Sequence, residues 1–162
     1  MDAKVIWQQG MRFTGSSHSG FEVTLDAGEN EGGANEGFRP LELMAISLVG
    51  CTGMDVISIL KKKQQSVSGF EVKVQADRAE DYPKVFTHAQ VSYLVTGIGL
   101  DEVAVRRAIE LSTTKYCPVI AMLGQAVSME FRYEIFEGQN PQDRTLLKSG
   151  TYIPPAPPAP VL

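Results

Sequence analysis

The strongest constraint on the fold is a run of apolar residues from Leu41 to Leu60 that ends in three consecutive lysines. A proline stands at its start, where its fixed φ suits the first helical position, and the lysines complement the negative end of a helix dipole. We therefore predict one long helix over residues 40–65. A helix that is apolar on most of its faces has to be covered by other elements, so we expect it at the centre of the fold.

Composition limits the classes of function. The chain has 162 residues and a net charge of −4, which gives no electrostatic case for binding nucleic acid or an anionic membrane. The apolar run passes the length test for a membrane span, but Glu42 and Asp55 inside it would be costly in lipid. The first residues lack the pattern of a signal peptide, and two cysteines are too few for a disulfide scaffold. We expect a cytoplasmic protein with reduced thiols and no membrane partner.

The remaining segments predict strands and short helices in separate blocks, which is typical of an α+β fold. Strands are predicted at 5–7, 12–14, 21–25, 70–74, 88–95 and 129–135, with 70–74 and 88–95 as an antiparallel pair, and helices at 101–112 and 118–124. One domain is expected over residues 1–137. A C-terminal extension follows at 138–162 and carries a proline-rich tail at 154–160.

Cys117 is a candidate reactive thiol because Pro118 follows it as the predicted first residue of a helix. Its sulfur would lie beside free backbone N–H groups at the positive end of the helix dipole, which favours the thiolate and lowers the thiol pKa. Lys115 adds positive potential if its side chain points inward. An inert, buried cysteine at a helix start fits the same residues equally well.

Cys51 lies in the middle of the long helix, where apolar surroundings disfavour a thiolate unless a positive charge is brought to it. Gly50 and Gly53 flank it, at a cost of roughly 1 kcal/mol each relative to alanine, which makes sense if another backbone or a substrate approaches the thiol. Helix packing through small residues explains them as well. Asp55 shares the helical face of Cys51, and we expect its carboxylate to point to a basic partner or a capping group.

Glu42 precedes Cys51 by nine residues, which places it half a turn out of phase and about 13 Å away along the helix axis. One straight helix cannot bring the two side chains together, so a shared site needs a bent helix or a second subunit. Glu42 is otherwise a first-turn carboxylate that suits the helix dipole. His18 and His88 have no metal-site spacing with either cysteine, and we predict neither a metal nor an organic cofactor.

Two motifs carry a resemblance to a known family. The stretch Pro40-Leu-Glu42-Leu-Met-Ala-Ile-Ser-Leu-Val-Gly-Cys51, continued through residues 55–63, and the stretch Lys115-Tyr-Cys117-Pro-Val resemble the OsmC/Ohr family. These are the osmotically inducible and organic hydroperoxide resistance proteins. The similarity extends over residues 3–136 in the order of elements, and the helix motif with its three lysines looks closer to the OsmC-like branch than to the peroxidases proper.

The resemblance implies an OsmC-like α+β fold, in which an antiparallel sheet wraps around a long central helix, and an intertwined homodimer with active sites at the subunit interface. It also implies a cysteine-based peroxidase. Cys51 would attack an organic hydroperoxide and become a sulfenic acid, and Cys117 would resolve it to a disulfide that an external dithiol reduces. Glu42 would hold an arginine that brings positive charge to Cys51. Arg12 is the similar residue in the early strands, and Arg39 is the alternative.

A second function also fits the sequence. An OsmC-like ligand-binding or redox-sensing protein would keep the same dimer and both thiols but show little peroxidase turnover. A basic residue that reaches Cys51 favours the peroxidase. A Cys51 that does not react with peroxide, beside an apolar pocket that takes up a ligand, favours the second function.

Overall fold

The computed structural model describes residues 1–154, so the predicted proline-rich tail lies outside the described residues from residue 155 onward. The chain divides into two compact units, residues 1–46 and the residues from Ser47 onward. The long helix, α1 (Pro40–Lys62), begins in the first unit and continues in the second. Each unit has its own sheet, and each sheet is described separately below.

The first unit contains a three-stranded antiparallel sheet in the order β1, β2, β3. Its strands are β1 (Ala3–Gln9), β2 (Arg12–Ser17) and β3 (Glu22–Leu25), which confirms the three early strands predicted from the sequence. Every residue of β1 is exposed, including Trp7 at 62%. A small sheet gains stability from a covered apolar face, and β1 has no such cover among residues 1–154.

Asp26 anchors the loop between β3 and the long helix. Its carboxylate accepts hydrogen bonds from the backbone N–H groups of Ala27, Ala34 and Glu36, at 2.8, 3.0 and 3.1 Å. These bonds hold the pKa of Asp26 below its ordinary value of 3.8, with the largest effect from the N–H of Glu36, although burial acts in the opposite direction. The loop therefore follows a fixed path despite its aperiodic, glycine-rich sequence.

Helix α1 confirms the predicted long helix and ends three residues earlier than expected, before Gln64 turns into a left-handed conformation with φ of 56°. By length and composition it is the one helix of residues 1–154 that could cross a membrane, a test that the core helix of a soluble protein also passes. The prediction of a long central helix in an α+β fold is confirmed. Only 22% of its most apolar stretch is buried within the chain, and Met54 is 74% exposed.

The second unit contains a four-stranded sheet in the order β4, β5, β6, β7. Its strands are β4 (Val67–Arg78), β5 (Phe86–Gly97), β6 (Ser128–Asn140) and β7 (Asp143–Tyr152). The predicted antiparallel pairing of β4 with β5 is confirmed, but β5 and β6 run parallel, so the sheet is mixed rather than antiparallel. A parallel pair needs a long crossover, and the helical segment between β5 and β6 supplies it.

The crossover consists of α2 (Glu102–Leu111), a π-helical turn (Ser112–Tyr116) and α3 (Pro118–Leu123). Both helices were predicted, whereas the turn between them was not. Asp101 caps α2 by accepting a hydrogen bond from the N–H of Val103 at 2.9 Å. The crossover returns the chain to the sheet and brings Cys117, at the start of α3, against α1.

Strand β7 was not predicted, because its residues 143–152 are mostly polar and exposed. It pairs antiparallel with β6 and forms the edge of the sheet. The predicted boundary at residue 138 falls inside β6, and the division at that residue stays a prediction.

The hydrophobic core of the second unit lies between the sheet, α1 and α2. Its fully buried members include Val56 and Leu60 of α1, Tyr93 of β5, Ile109 of α2 and Phe131 of β6. The buried residues of α1 pack in this cluster against the sheet and the crossover. The two cysteines belong to this cluster, Cys117 as a buried member and Cys51 as a partly buried neighbour.

The anchoring role of Asp26 predicts an acid-sensitive loop. A carboxylate with a lowered pKa stabilises the folded state above its ordinary value of 3.8, and this contribution is lost as the pH falls through the lowered value. Asp26→Asn should remove that contribution and speed the hydrogen exchange of the Ala34 and Glu36 amides. Exchange measured by NMR from about pH 6 down to about pH 3 checks this. Equal protection in the variant would contradict it, and Glu22→Gln, an exposed carboxyl on β3, is the control.

Candidate active site

The two cysteines of the chain meet in the second unit. The sulfur atoms of Cys117 and Cys51 are 2.8 Å apart, with the Cys117 thiol as the hydrogen-bond donor. Both are free cysteines. Cys117 is 3% exposed, whereas Cys51 is only partly buried. One thiol can therefore be reached from outside, and the other stands directly behind it.

The start of α3 fixes the position of Cys117. Pro118 occupies the first turn of α3 as predicted, and Cys117 is the N-cap residue. Its sulfur accepts a hydrogen bond from the N–H of Ile120 at 3.4 Å, and its own N–H donates to the carbonyl of Ser112 at 2.9 Å. The cap and the preceding turn thus aim the sulfur at α1.

The pKa of Cys117 moves in the direction opposite to the sequence prediction. Burial raises the pKa of the Cys117 thiol to about 12, and the hydrogen bond to Cys51 adds to the effect. The backbone N–H groups at the start of α3 act against this rise, as predicted, but burial outweighs them. Lys115 does not supply the predicted inward charge, because it is exposed and its ammonium lies 5.3 Å from the ring centre of Tyr116. Cys117 therefore keeps its proton and offers it to the sulfur of Cys51.

A chain of buried hydroxyl groups leads to a carboxylate beside the sulfurs. The hydroxyl oxygen of Thr52, Oγ1, is 2.6 Å from the hydroxyl oxygen of Tyr93 and 2.9 Å from Oγ of Ser112. Ser112 donates its hydroxyl proton to Oδ2 of Asp55 at 3.0 Å. Each hydroxyl has one proton, so the donors must run from Tyr93 to Thr52, then to Ser112, and finally to Asp55.

All the donors of this chain point toward Asp55, so the carboxylate is the acceptor at its end. Burial raises the pKa of Tyr93 well above its ordinary value, so the far end of the chain stays protonated. We expected Asp55 to point to a basic partner or a capping group, but its partner is the hydroxyl of Ser112. The signal missed in the sequence was the two small hydroxyl residues, Thr52 and Ser112, at positions where the apolar pattern calls for core residues.

The two glycines that flank Cys51 have different surroundings. A methyl group at Gly53 would meet Cγ2 of Val72 at 3.4 Å, so close packing of α1 on β4 accounts for that glycine. A methyl group at Gly50 would meet nothing within 4 Å. Packing within the chain therefore does not explain Gly50, and space is open next to Cys51 on the helix.

The predicted partners Glu42, Arg12 and Arg39 belong to the first unit. Glu42 accepts a hydrogen bond from the backbone N–H of Arg39 at 2.9 Å, which closes the first turn of α1 as a capping carboxylate does. The guanidinium of Arg39 bonds to the side chain of Asn35 and to the carbonyl of Gly37. Arg12 forms an ion pair with Glu36, not with Glu42, at 2.6 Å. The role of an arginine at Cys51 stays a prediction.

Among residues 1–154, one cluster combines metal-binding side-chain types, namely Cys51, Asp55 and Cys117, whose ligand atoms lie within 4.8 Å of one another. Two sulfurs bound to one tetrahedral zinc ion would be about 3.8 Å apart, given Zn–S bonds of ~2.3 Å. The sulfurs here are 2.8 Å apart and hydrogen-bonded to each other. The arrangement fits a thiol pair better than a set of metal ligands, and the absence of a metal stays a prediction.

A cavity of about 530 Å³ opens beside Cys117. Its walls come from the π-helical turn, α3, the first residues of β6 and the segment after β7, and they are mostly apolar. Ile120, Phe131 and Met129 are among the lining residues. The cavity gives an apolar molecule a place next to the buried thiol.

Comparison with known proteins identifies relatives over most of the chain. The sequence model of the family described as OsmC-like protein matches residues 32–132. Protein YhfA of Escherichia coli K12 is 38% identical over 135 residues, which cover 83% of this chain and 98% of that protein. Both matches include the two cysteines.

Solved structures share the fold. A hypothetical protein from Aquifex aeolicus VF5 is 28% identical with a TM-score of 0.74, covering 85% of this chain and 96% of that one. A protein from Legionella pneumophila named as an organic hydroperoxide resistance protein is 15% identical with a TM-score of 0.60, covering 83% and 94%. At that identity, the second similarity shows the fold alone.

The hydroxyl chain predicts that removal of its central hydroxyl, that of Thr52, destabilises the folded protein. Thr52→Val should lower the free energy of unfolding by about 2 kcal/mol, because it leaves the buried hydroxyl of Tyr93 without an acceptor. Adding Tyr93→Phe should recover part of that loss, since the unpaired hydroxyl is then absent. Urea denaturation of the single and double variants checks this, with Thr52→Ser as the control that keeps the hydroxyl. A double variant whose loss equals the sum of the single losses would contradict the coupling.

Proposed function

The chain belongs to the OsmC-like protein family, and on that premise we propose that it is a cysteine-based peroxidase that reduces organic hydroperoxides. The observation that carries the proposal is the 2.8 Å contact between the two sulfurs, with one thiol buried and the other accessible. In this arrangement the accessible thiol can react with a substrate, and the buried thiol is close enough to form a disulfide with it. It also agrees with the hydroperoxide resistance named for the Legionella relative of the same fold.

The two thiols have different roles in the proposed reaction. Cys51 is the nucleophile because it is the more accessible sulfur and accepts a hydrogen bond from the Cys117 thiol. Cys117 is the resolving thiol because burial keeps it neutral, with its pKa raised to about 12. A neutral, buried thiol is protected from peroxide until its partner has reacted.

The reaction has two covalent steps. The Cys51 thiolate attacks the terminal oxygen of the hydroperoxide, the O–O bond breaks, and the departing alkoxide takes up a proton to give an alcohol. Cys51 is then a sulfenic acid. In the second step the Cys117 sulfur attacks the Cys51 sulfur, the S–O bond breaks, and water leaves with the former thiol proton of Cys117. The resulting disulfide accepts two electrons from an external dithiol, so no organic cofactor is needed.

In this proposal an arginine favours the Cys51 thiolate, and Glu42 holds it. Arg12 is the first candidate and Arg39 the alternative. Glu42 already bonds to the backbone of Arg39, so it is placed at the segment that carries the alternative residue. The ion pair of Arg12 with Glu36 joins two exposed side chains, and an exposed pair of this kind costs little to open.

The first test is the loss of thiols on mixing the reduced protein with cumene hydroperoxide or hydrogen peroxide. The wild type should lose two thiols rapidly, and faster with the organic peroxide, because Gly50 leaves open space beside Cys51. Cys51→Ser should abolish the rapid loss. Cys117→Ser should lose one thiol and stop at a sulfenic acid that a dimedone probe detects.

Slow thiol loss, equal for both cysteines, would contradict the peroxidase. The rate of the first step in the same assay shows which arginine, Arg12 or Arg39, acts on Cys51. Methionine at the functional arginine should slow the first step by at least tenfold, because it removes the charge that favours the thiolate. Arg12→Met and Arg39→Met, compared with Arg78→Met on β4 as a matched control, distinguish the two candidates.

The cavity beside Cys117 favours a second candidate function, in which the chain binds an apolar ligand or senses redox state with little turnover. Under that function Cys51 would not react rapidly with peroxide. A solvatochromic dye would still enter the cavity, and Ala121→Trp on its wall would displace it. The thiol assay and the dye assay together separate the two functions.

We also propose that the protein is a cytoplasmic homodimer. Within residues 1–154, the strand β1 of the first unit and the exposed side of α1 are apolar surfaces without cover. The exposed residues include Trp7 at 62% and Met54 at 74%, and apolar surfaces of this extent mark interaction sites. The proposed occupant is a second copy of the chain, which the family resemblance implies.

The homodimer predicts a mass of twice the 17.7 kDa chain in light scattering at micromolar concentration. Trp7 is the only tryptophan, so its emission reports on this surface. We expect a buried, blue-shifted emission that moves to the red on dilution. Trp7→Arg should weaken the dimer, whereas Gln8→Arg on the same strand should not. A particle with the mass of one chain at every concentration would contradict the prediction.

A further inference from the structure

We propose that Asp55 is the proton acceptor for Cys117 when the two cysteines form a disulfide. This inference rests on the proposed pairing of Cys51 and Cys117. It names the group that takes the proton of Cys117 when the disulfide forms. Its basis is geometric. The carboxylate of Asp55 and both sulfur atoms lie within 4.8 Å of one another, in one cluster of the second unit.

Disulfide formation requires a base at this place. Cys117 reacts as a thiolate, but it is 3% exposed and bulk water has little access to its proton. Burial raises the pKa of its thiol to about 12, so few molecules would hold the thiolate near neutral pH. The neighbouring groups named above are hydroxyls, a sulfur and one carboxylate. Only the carboxylate accepts a proton readily near pH 7.

The hydroxyl chain holds Asp55 ready for this role. Ser112 donates to one carboxylate oxygen, Oδ2, at 3.0 Å. A carboxylate has two oxygens with about four lone-pair sites, so Asp55 can accept a proton from the thiol while it is bound to Ser112. A separation of up to 4.8 Å from the sulfur is longer than a direct hydrogen bond, and a small side-chain rotation or one bridging water closes it.

The order of events follows from charge. While Cys51 is a thiolate, its hydrogen bond and its negative charge both raise the pKa of Cys117. Reaction with peroxide converts that thiolate into a neutral sulfenic acid and removes both effects. The proton of Cys117 then passes to Asp55, the Cys117 sulfur attacks the Cys51 sulfur, and the S–O bond breaks. The proton on Asp55 goes to the departing hydroxide, which leaves as water, and the carboxylate is regenerated.

A mixed disulfide tests this step without peroxide. Dithiobis-nitrobenzoate (DTNB) reacts first with the accessible Cys51, and attack by Cys117 on the Cys51 sulfur then releases a second thionitrobenzoate, whose absorbance gives the rate. This leaving group needs no proton, so the rate reports on deprotonation of Cys117. If the peroxidase proposal fails because Cys51 does not react with hydroperoxide, this release can still be measured. Cys117→Ser should release only the first equivalent.

Asp55→Asn keeps an acceptor for Ser112 but removes the base. We expect the second release to slow by about 100-fold near neutral pH, which is within the usual contribution of a general base. The first release, from Cys51, should change by less than about threefold. The rate of the variant should rise about tenfold per pH unit, because hydroxide must then take the proton, and it should approach the wild-type rate at about pH 9. Tyr93 is the other titratable group facing the cluster, and its raised pKa keeps it neutral over this range.

Two further variants separate the base from a structural role. Asp55→Glu retains a carboxylate and should keep the pH dependence of the wild type, even if its rate is lower. Glu71→Gln, which removes an exposed carboxylate on β4, should behave like the wild type. Release by Asp55→Asn at the wild-type rate would overturn the proposal. So would slowing by one constant factor at every pH, or a pH profile of Asp55→Glu that matches Asp55→Asn.

Discussion

The hydroxyl of Thr52 joins the three elements on which the candidate site depends. It lies on α1, contacts Tyr93 on β5 and Ser112 at the start of the π-helical turn, and is completely buried. The turn leads directly to Cys117, and the preceding residue of α1 is Cys51. The two buried hydrogen bonds of Thr52 therefore help to set the distance between the two sulfurs. Because an unpaired hydroxyl in this position would cost stability, the same bonds that hold the elements together also exclude other arrangements of the site.

The chemical difference between the cysteines comes from their surroundings. Both sulfurs share one contact, but Cys117 is buried behind α3 while Cys51 is partly accessible on α1. Burial outweighs the favourable start of α3 and keeps Cys117 neutral. In the proposed reaction the accessible sulfur meets the substrate, and the buried sulfur reacts only after its partner has changed. Asp55, which accepts the hydroxyl proton of Ser112 in a hydrogen bond, is the proposed base for the buried thiol.

Local sequence patterns predicted most of the secondary structure and both cysteine positions. Helix α1, the crossover helices and six of the seven strands in residues 1–154 follow from apolar periodicity and from Pro40 and Pro118 at helix starts. Strand β7 was missed because it is a polar edge strand, and edge strands carry little hydrophobic signal. The parallel pairing of β5 with β6 and the partners of Asp55 were missed because they depend on contacts between residues distant in the sequence. The pKa of Cys117 was predicted in the wrong direction, since the helix start is visible in the sequence and the depth of burial is not.

The central claim is that Cys51 and Cys117 of the same chain form a redox pair. It is tested most directly by mixing normal and isotopically heavy chains, allowing subunits to exchange, oxidising with one equivalent of cumene hydroperoxide, and mapping the disulfide-linked peptides by mass spectrometry. The 2.8 Å contact within one chain predicts Cys51–Cys117 pairs in which both peptides are normal or both are heavy. Pairs with one normal and one heavy peptide, or an overoxidised Cys51 beside a free Cys117 thiol, would contradict the account.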